Sequence, residues 1–365
     1  MNTNPLQGIS ELGQSIWLDY IRRDLFTDNQ LVRRIDRDGL KGMTSNPAIF
    51  EKAIVDSQIY DPAIRSLAKE GLDPAAIYER LSWEDVRSAA DAFAQVYSAT
   101  GGEDGYVSLE VSPKLARDTD GTLAEARRLW IGLHRPNVMI KVPATVQGLP
   151  VIRQLIEEGI NVNITLIFGG IRYDQVAEAY LQGLEARAAK GLPLAQVASV
   201  ASFFVSRVDA LVDPMLEKAG EPARSAKGQV AIAGAKAAYQ RWKELFNADR
   251  FKALASAGAQ SQRLLWASTS TKNPADSDVK YVEALIGPHT VNTVPPETLD
   301  AYLEHGKPEP RLEQGVDAAQ ALLAALPGWG VDMAQVEQRL EDEGIEKFVQ
   351  PFAKLMEALA KRAEG

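Results

Sequence analysis

Eight short apolar runs, spaced by helix-length segments, set the pattern of this chain. They cover residues 16–20, 42–45, 106–111, 138–142, 161–167, 198–204, 263–267 and 290–294. Helical periodicity follows at 120–133, 145–158, 170–189, 208–219 with 225–246, 277–286 and 296–304. Strands alternating with helices build βαβ units, and these imply a parallel sheet. Eight units within 365 residues match a closed (β/α)8 barrel, the TIM barrel of the α/β class, with room for insertions. An open doubly wound sheet is the competing topology. No GxGxxG fingerprint follows the first run, which weighs against it.

Two stretches exceed the barrel pattern. Residues 51–99, after the second strand, read as two or three helices and include an amphipathic stretch at 74–97. Residues 330–362 read as helix after a Pro327-Gly328 break, and 306–310 read as a loop. The expectation is one domain over residues 1–365, with a helical insertion at about 51–99 and a C-terminal helical extension at about 330–362.

Composition removes several function classes. A net charge of −9 argues against a sequence-independent nucleic-acid surface, although a local Arg/Lys pocket for phosphate remains compatible with it. The chain has no cysteine, so disulfides and thiolate chemistry are excluded. Its three histidines, His134, His289 and His305, have no metal-ligand spacing. Neither a metal nor an organic cofactor is expected. Residues 1–14 lack the basic and apolar regions of a secretory signal, and no uncharged apolar run is long enough to span a bilayer. A soluble, cytoplasmic protein is expected, as a monomer or a homodimer.

The strand ends are unusually polar. Lys141 closes the run Val138-Met139-Ile140. An amine in such a buried strand is costly unless it is paired, neutral or used. Desolvation disfavours the ammonium form of a lysine, and a neutral amine can form a Schiff base with a carbonyl. The plainer alternative is a lysine whose ammonium reaches solvent or a carboxylate. Asp19, Thr44-Ser45-Asn46, Glu110, Asn163, Thr165, Ser202, Phe204 and Arg207 stand at the ends of other strands. Period-two alternation puts Asn163 with Thr165, and Ser202 with Phe204, on one face each. Each has an ordinary reading too. Asp19 could pair with Arg22 or Arg23, Glu110 could neutralise Lys141, and Asn46-Pro47 is a common turn. Gathered at the C-terminal mouth of a barrel, the set suits carbonyl chemistry with proton transfer.

Five ordered segments resemble the transaldolase family of Schiff-base aldolases. They are Thr44-Ser45-Asn46-Pro47, Val107-Ser108-Leu109-Glu110-Val111, Ile140-Lys141-Val142-Pro143-Ala144-Thr145, the run from Glu158 to Phe168, and Ala201-Ser202-Phe203-Phe204-Val205-Ser206-Arg207. The resemblance implies a (β/α)8 barrel and reversible transfer of a dihydroxyacetone unit between sugar phosphates. Donors would be sedoheptulose 7-phosphate or fructose 6-phosphate, and acceptors glyceraldehyde 3-phosphate or erythrose 4-phosphate. It implies Lys141 as Schiff-base nucleophile, Glu110 as acid/base through a water, Asp19 as acceptor of the C4 hydroxyl proton, and Thr165 as the residue orienting that water. Thr44, Ser45, Asn46, Asn163 and Ser202 would serve the substrate, Phe204 would wall the pocket, and Arg207 would bind phosphate. The family's second phosphate arginine is missing, and Lys272 stands near its place as a point charge instead of a fork. The segment from Trp266 to Pro274 and the ending Asn292-Thr293-Val294-Pro295-Pro296 resemble the longer actinobacterial or isomerase-fused members. Two other readings stand beside this one: a fructose-6-phosphate aldolase that releases free dihydroxyacetone, and a non-catalytic sugar-phosphate-binding barrel. The aldolases carry a different residue where Glu110 stands, which favours transfer.

Overall fold

All eight expected strands form, and they close on one another in chain order. The computed structural model describes residues 4–364; the ends of the expected 1–365 domain, residues 1–3 and 365, lie outside the described residues. The strands are β1 (Gln14–Asp19), β2 (Gly42–Thr44), β3 (Val107–Glu110), β4 (Val138–Pro143), β5 (Val162–Ile167), β6 (Ser199–Phe204), β7 (Arg263–Ala267) and β8 (Thr290–Val294). Each runs parallel to its neighbours, and β8 pairs back onto β1. Helices cover the outer face and side chains fill the inner one, so nearly every strand residue is buried. This explains why the strands read as unbroken apolar runs.

The register sets the height of each polar strand end. Glu110 is the direct partner of Lys141, which in turn is the partner of Asn163. Asp19 is level with Thr44. One irregularity interrupts the ladder. Between Ile164 and Ile167 the β5–β6 register shifts, with Leu166 in the left-handed region at φ 63°. The period-two reading of β5 therefore holds through Thr165 and then breaks.

Between β2 and β3 lie four helices, Pro47–Val55, Asp61–Lys69, Pro74–Ala92 and Ala94–Ala99. Local chemistry starts two of them. The side-chain oxygens of Asn46 and Asp73 accept from the amides of Ile49 (3.0 Å) and Ala76 (2.8 Å), each with a proline at the first helical position. The stretch expected at 74–97 is thus split at Phe93. Among the described residues five α-helices have no counterpart in the sequence reading, Pro5–Glu11, Asp24–Thr27, Gln30–Arg33, Asp249–Ser256 and Val316–Ala325. The helix expected at 277–286 shrinks to Lys280–Ala284. Among the described residues no helix is long and apolar enough to cross a membrane.

The tail forms a single helix, Met333–Glu364. Its residues Val336, Leu340, Phe348, Leu355 and Leu359 are buried, at spacings that keep them on one stripe. This stripe packs against β5 and the helices Pro47–Val55 and Pro74–Ala92. Arg362 fastens its far end, donating to the carbonyls of Ile54 (2.7 Å), Val55 (2.7 Å) and Ser57 (2.9 Å) and to Asp61 (3.0 Å). The Ile54 and Val55 carbonyls belong to the unpaired end of Pro47–Val55 and Asp61 begins the next helix, so one guanidinium ties the tail to both.

The opposite end of the barrel holds a buried polar plug. Asp104 accepts from Ser15 (2.7 Å), the Trp17 indole (3.2 Å) and Arg263 (2.8 Å). Gly42 leaves room for that indole, since a Cβ there would lie 2.7 Å from the ring. Asp104→Ala would strand the buried Arg263 charge, a change that costs about 3–5 kcal/mol. Urea unfolding should show that loss. A change below about 1 kcal/mol would mean that Arg263 finds another partner.

Candidate active site

The residues at the C-terminal strand ends surround a cavity of about 330 Å³. Lys141 is 5 % exposed, and its Nζ lies 3.1 Å from Glu110 Oε2 and donates to the Ser45 carbonyl at 3.2 Å. The register makes this pairing direct, because the two residues are ladder partners on adjacent strands. Burial raises the pKa of Glu110, and the lysine charge opposes that rise. The contact lacks good hydrogen-bond geometry, which leaves Glu110 Oε2 without a hydrogen-bond partner. Thr165 Oγ1 is also buried and unpartnered. Buried polar atoms without partners are rare in folded proteins, and a ligand or water commonly supplies them.

Asp19 has no arginine partner: Arg22 pairs with Asp24, and Arg23 with Glu84 and Asp85. Thr44 donates to Asp19 Oδ1 at 2.7 Å. Having spent its one proton there, Thr44 is left to accept from Thr293 at 2.6 Å. Burial raises the Asp19 pKa, while the Lys141 charge and the Thr44 hydroxyl pull it down.

The other end of the cavity is cationic. Arg207 follows β6 with its guanidinium carbon 5.1 Å from the Phe204 ring and 6.0 Å from the Phe348 ring. Its Nη1 is buried without a partner, and burial lowers its pKa. Lys272 sits at the rim, donating to Ser270 at 2.8 Å; burial first, then the charge of Arg207, lowers its pKa. An unpaired arginine between aromatic faces, with a second cation nearby, suits a phosphate.

The structure gathers most of the expected residues and sets three apart. Asp19, Thr44, Asn46, Lys141, Thr165, Ser202, Phe204, Arg207 and Lys272 line the cavity. Glu110 stands behind Lys141. Ser45 and Asn163, expected as substrate contacts, do not line it. Ser45 turns its hydroxyl onto the Ser108 carbonyl (2.7 Å). Asn163 spends both ends of its amide, donating to Ser108 Oγ (3.0 Å) and accepting from Ser202 (2.6 Å). It orients Ser202 instead. Asn46 uses its oxygen as a helix cap and keeps its amide nitrogen for the cavity.

Similarities to known proteins bear on this geometry. The family model for transaldolase/fructose-6-phosphate aldolase matches residues 16–359. A transaldolase of Trichodesmium erythraeum is 47% identical over 375 residues, covering 100% of this chain and 99% of its own length. Transaldolases of Thermobifida fusca and Acidothermus cellulolyticus are each 47% identical, covering 98% and 99% of this chain and 98% of their own length. The chain belongs to the transaldolase/fructose-6-phosphate aldolase family. The resemblance read from five strand-end segments therefore extends over nearly the whole chain.

Within that family framework, the strand-end reading missed the residues that come from helices. Lys52 lines the cavity from Pro47–Val55, and Lys347 and Phe348 line it from Met333–Glu364. No local motif marks them, because their place depends on how distant helices dock. Thr44→Val would remove the hydroxyl that holds the Asp19 carboxylate ionised. The Asp19 pKa should then rise further, because the lost hydroxyl favoured the charged form. A carboxyl titration followed by carbon-13 NMR, with Asp19→Asn as reference, would measure it. A downward shift would refute the assignment.

Proposed function

We propose that this chain transfers a dihydroxyacetone unit between sugar phosphates through a Schiff base on Lys141. It is a transferase of the transaldolase type, working on small sugar phosphates in the non-oxidative pentose phosphate pathway. The observation that carries this reading is Lys141 in the cavity wall, buried and 3.1 Å from Glu110 behind it, with the unpaired Arg207 at the cavity's other end. The reading takes residues 1–365 as one domain and places the protein in the cytoplasm.

The chemistry follows from the groups present. Attack needs a neutral amine. Glu110, its pKa raised by burial, is placed to take the proton from Lys141. Nζ adds to C2 of the ketose. Glu110 returns the proton to the departing hydroxyl, which leaves as water and gives an iminium. Thr165 and Glu110, each with an unpartnered buried oxygen, hold that water. Asp19 then takes the proton of the C4 hydroxyl. The C3–C4 bond breaks, its electrons move into the iminium to form an enamine, and the aldose phosphate departs. An acceptor aldehyde reverses these steps: C3 attacks its carbonyl carbon, and Asp19 gives the proton to the new hydroxyl. Arg207, with Lys272, holds the phosphate that fixes each aldose at the distance C3 requires.

Asp19 must be ionised for cleavage. Its raised pKa therefore places the acid limb of kcat/KM above the ordinary aspartate value of 3.8. Borohydride reduction of the chain with fructose 6-phosphate should add a reduced three-carbon or whole-sugar mass to the Lys141 peptide. Lys141→Met should abolish both adduct and turnover, and Glu110→Gln should slow turnover by roughly 10²–10⁴-fold. Arg207→Ala should reduce kcat/KM for phosphorylated acceptors by roughly 10- to 100-fold while sparing an unphosphorylated aldehyde. An unmodified Lys141 peptide would end the reading.

A further inference from the structure

Phe348 is the one large apolar side chain that the C-terminal helix lends to the active-site cavity. It is 4 % exposed. Its ring lies 5.7 Å from Lys141 Nζ and 6.0 Å from the Arg207 guanidinium carbon, so it covers the space between the reacting end and the phosphate end. We propose that Phe348 is the roof that decides whether the dihydroxyacetone enamine is passed to an acceptor or lost to water. This rests on the Schiff-base reading above and adds a residue outside the strand ends to it.

Three features hold the ring in place. Gly344, one turn earlier, lets the helix approach β5; a Cβ there would lie 2.9 Å from Leu166 Cδ2. Leu166 is the residue whose left-handed backbone breaks the β5 register. Ion pairs then pin the helix just before the ring, Arg172 with Glu341 at 3.1 Å and Arg117 with Asp342 at 2.5 Å. Beyond the ring, Arg362 ties the helix to Pro47–Val55. The helix is thus tied down on both sides of the ring, which keeps an apolar wall, and not water, above the reacting carbons.

The chemistry makes that exclusion matter. Loss of the unit needs a proton at C3 of the enamine, giving an iminium of dihydroxyacetone. One water then adds across its C=N bond, releasing dihydroxyacetone and restoring the lysine amine. Transfer avoids protonation at C3, because C3 bonds to the aldehyde carbon and the aldehyde oxygen takes the proton. Removing water and its protons from above C3 therefore favours transfer. The electron-rich ring face also favours the cationic iminium through which both halves of the reaction pass.

The test uses the full chain with Phe348→Ala and Phe348→Leu. Dihydroxyacetone release from fructose 6-phosphate is measured without acceptor, and transfer is measured with erythrose 4-phosphate. Borohydride adducts at Lys141 are quantified in parallel. Phe348→Ala should raise the ratio of release to transfer by roughly tenfold or more, with the adduct still formed. Phe348→Leu, which restores apolar cover and keeps the packing close, should bring the ratio most of the way back and also serves if the alanine variant does not fold. A merely structural role would lower both rates together and leave the ratio unchanged, and that result overturns the proposal. An absent adduct in the parent chain would instead remove the Schiff-base reading on which it rests.

Discussion

Lys141 and Glu110 face each other across the β3–β4 ladder, almost without solvent, and the rest of the site is arranged around them. Removing two charges from water is expensive, and their mutual attraction repays it only when the geometry is held. Here the barrel itself holds it. Glu110 and Lys141 are partners in a closed parallel register, so neither can move away without opening the sheet. A slip of one residue in either strand would turn its member of the pair to the outer face. The pair is costly as a stability device and well suited to chemistry, since a proton can cross a 3.1 Å gap without reorganising the protein.

The same exclusion of water explains the opposed shifts around the cavity. Burial raises the pKa of Asp19 and Glu110 and lowers that of Arg207 and Lys272. Each group is pushed toward its neutral form, and each is pulled back by the opposite charges nearby. Carboxyls poised in this way exchange protons with a sugar more readily than free ones. Arg207 keeps a buried Nη1 without a hydrogen-bond partner, a donor of the kind that suits an anion. The enclosure depends on the C-terminal helix, which carries Phe348 and Lys347 to the cavity.

Legibility from sequence followed the range of the forces involved. Strands could be read because both faces of a barrel strand are buried, which leaves an apolar run that local inspection detects. The helix start at Asp73-Pro74 was equally local, for capping involves neighbours three residues apart, whereas Asn46-Pro47 read as a turn and proved to be a helix start. Ser45 and Asn163 show where local reading ends. Both stand at strand ends beside the site, yet their polar atoms are taken by Ser108 and Ser202 on other strands. Whether a buried hydroxyl meets substrate or a neighbour depends on which strands lie beside it. The short helix Pro5–Glu11 went unread because its few apolar positions, Leu6 and Ile9, form too brief a pattern.

By itself the amino-acid sequence determined the strand–helix alternation, the eight-unit barrel and the polar set at the strand ends, because periodicity and turn chemistry act within a few residues. Only the tertiary structure decided that Lys141 meets Glu110, that Asp19 answers to Thr44 and not to Arg22 or Arg23, and that Phe348 comes from more than two hundred positions away to cover them. Those contacts join segments far apart in the chain. Their existence depends on barrel closure and helix docking, which bury apolar surface over the whole molecule and leave no mark on any single motif.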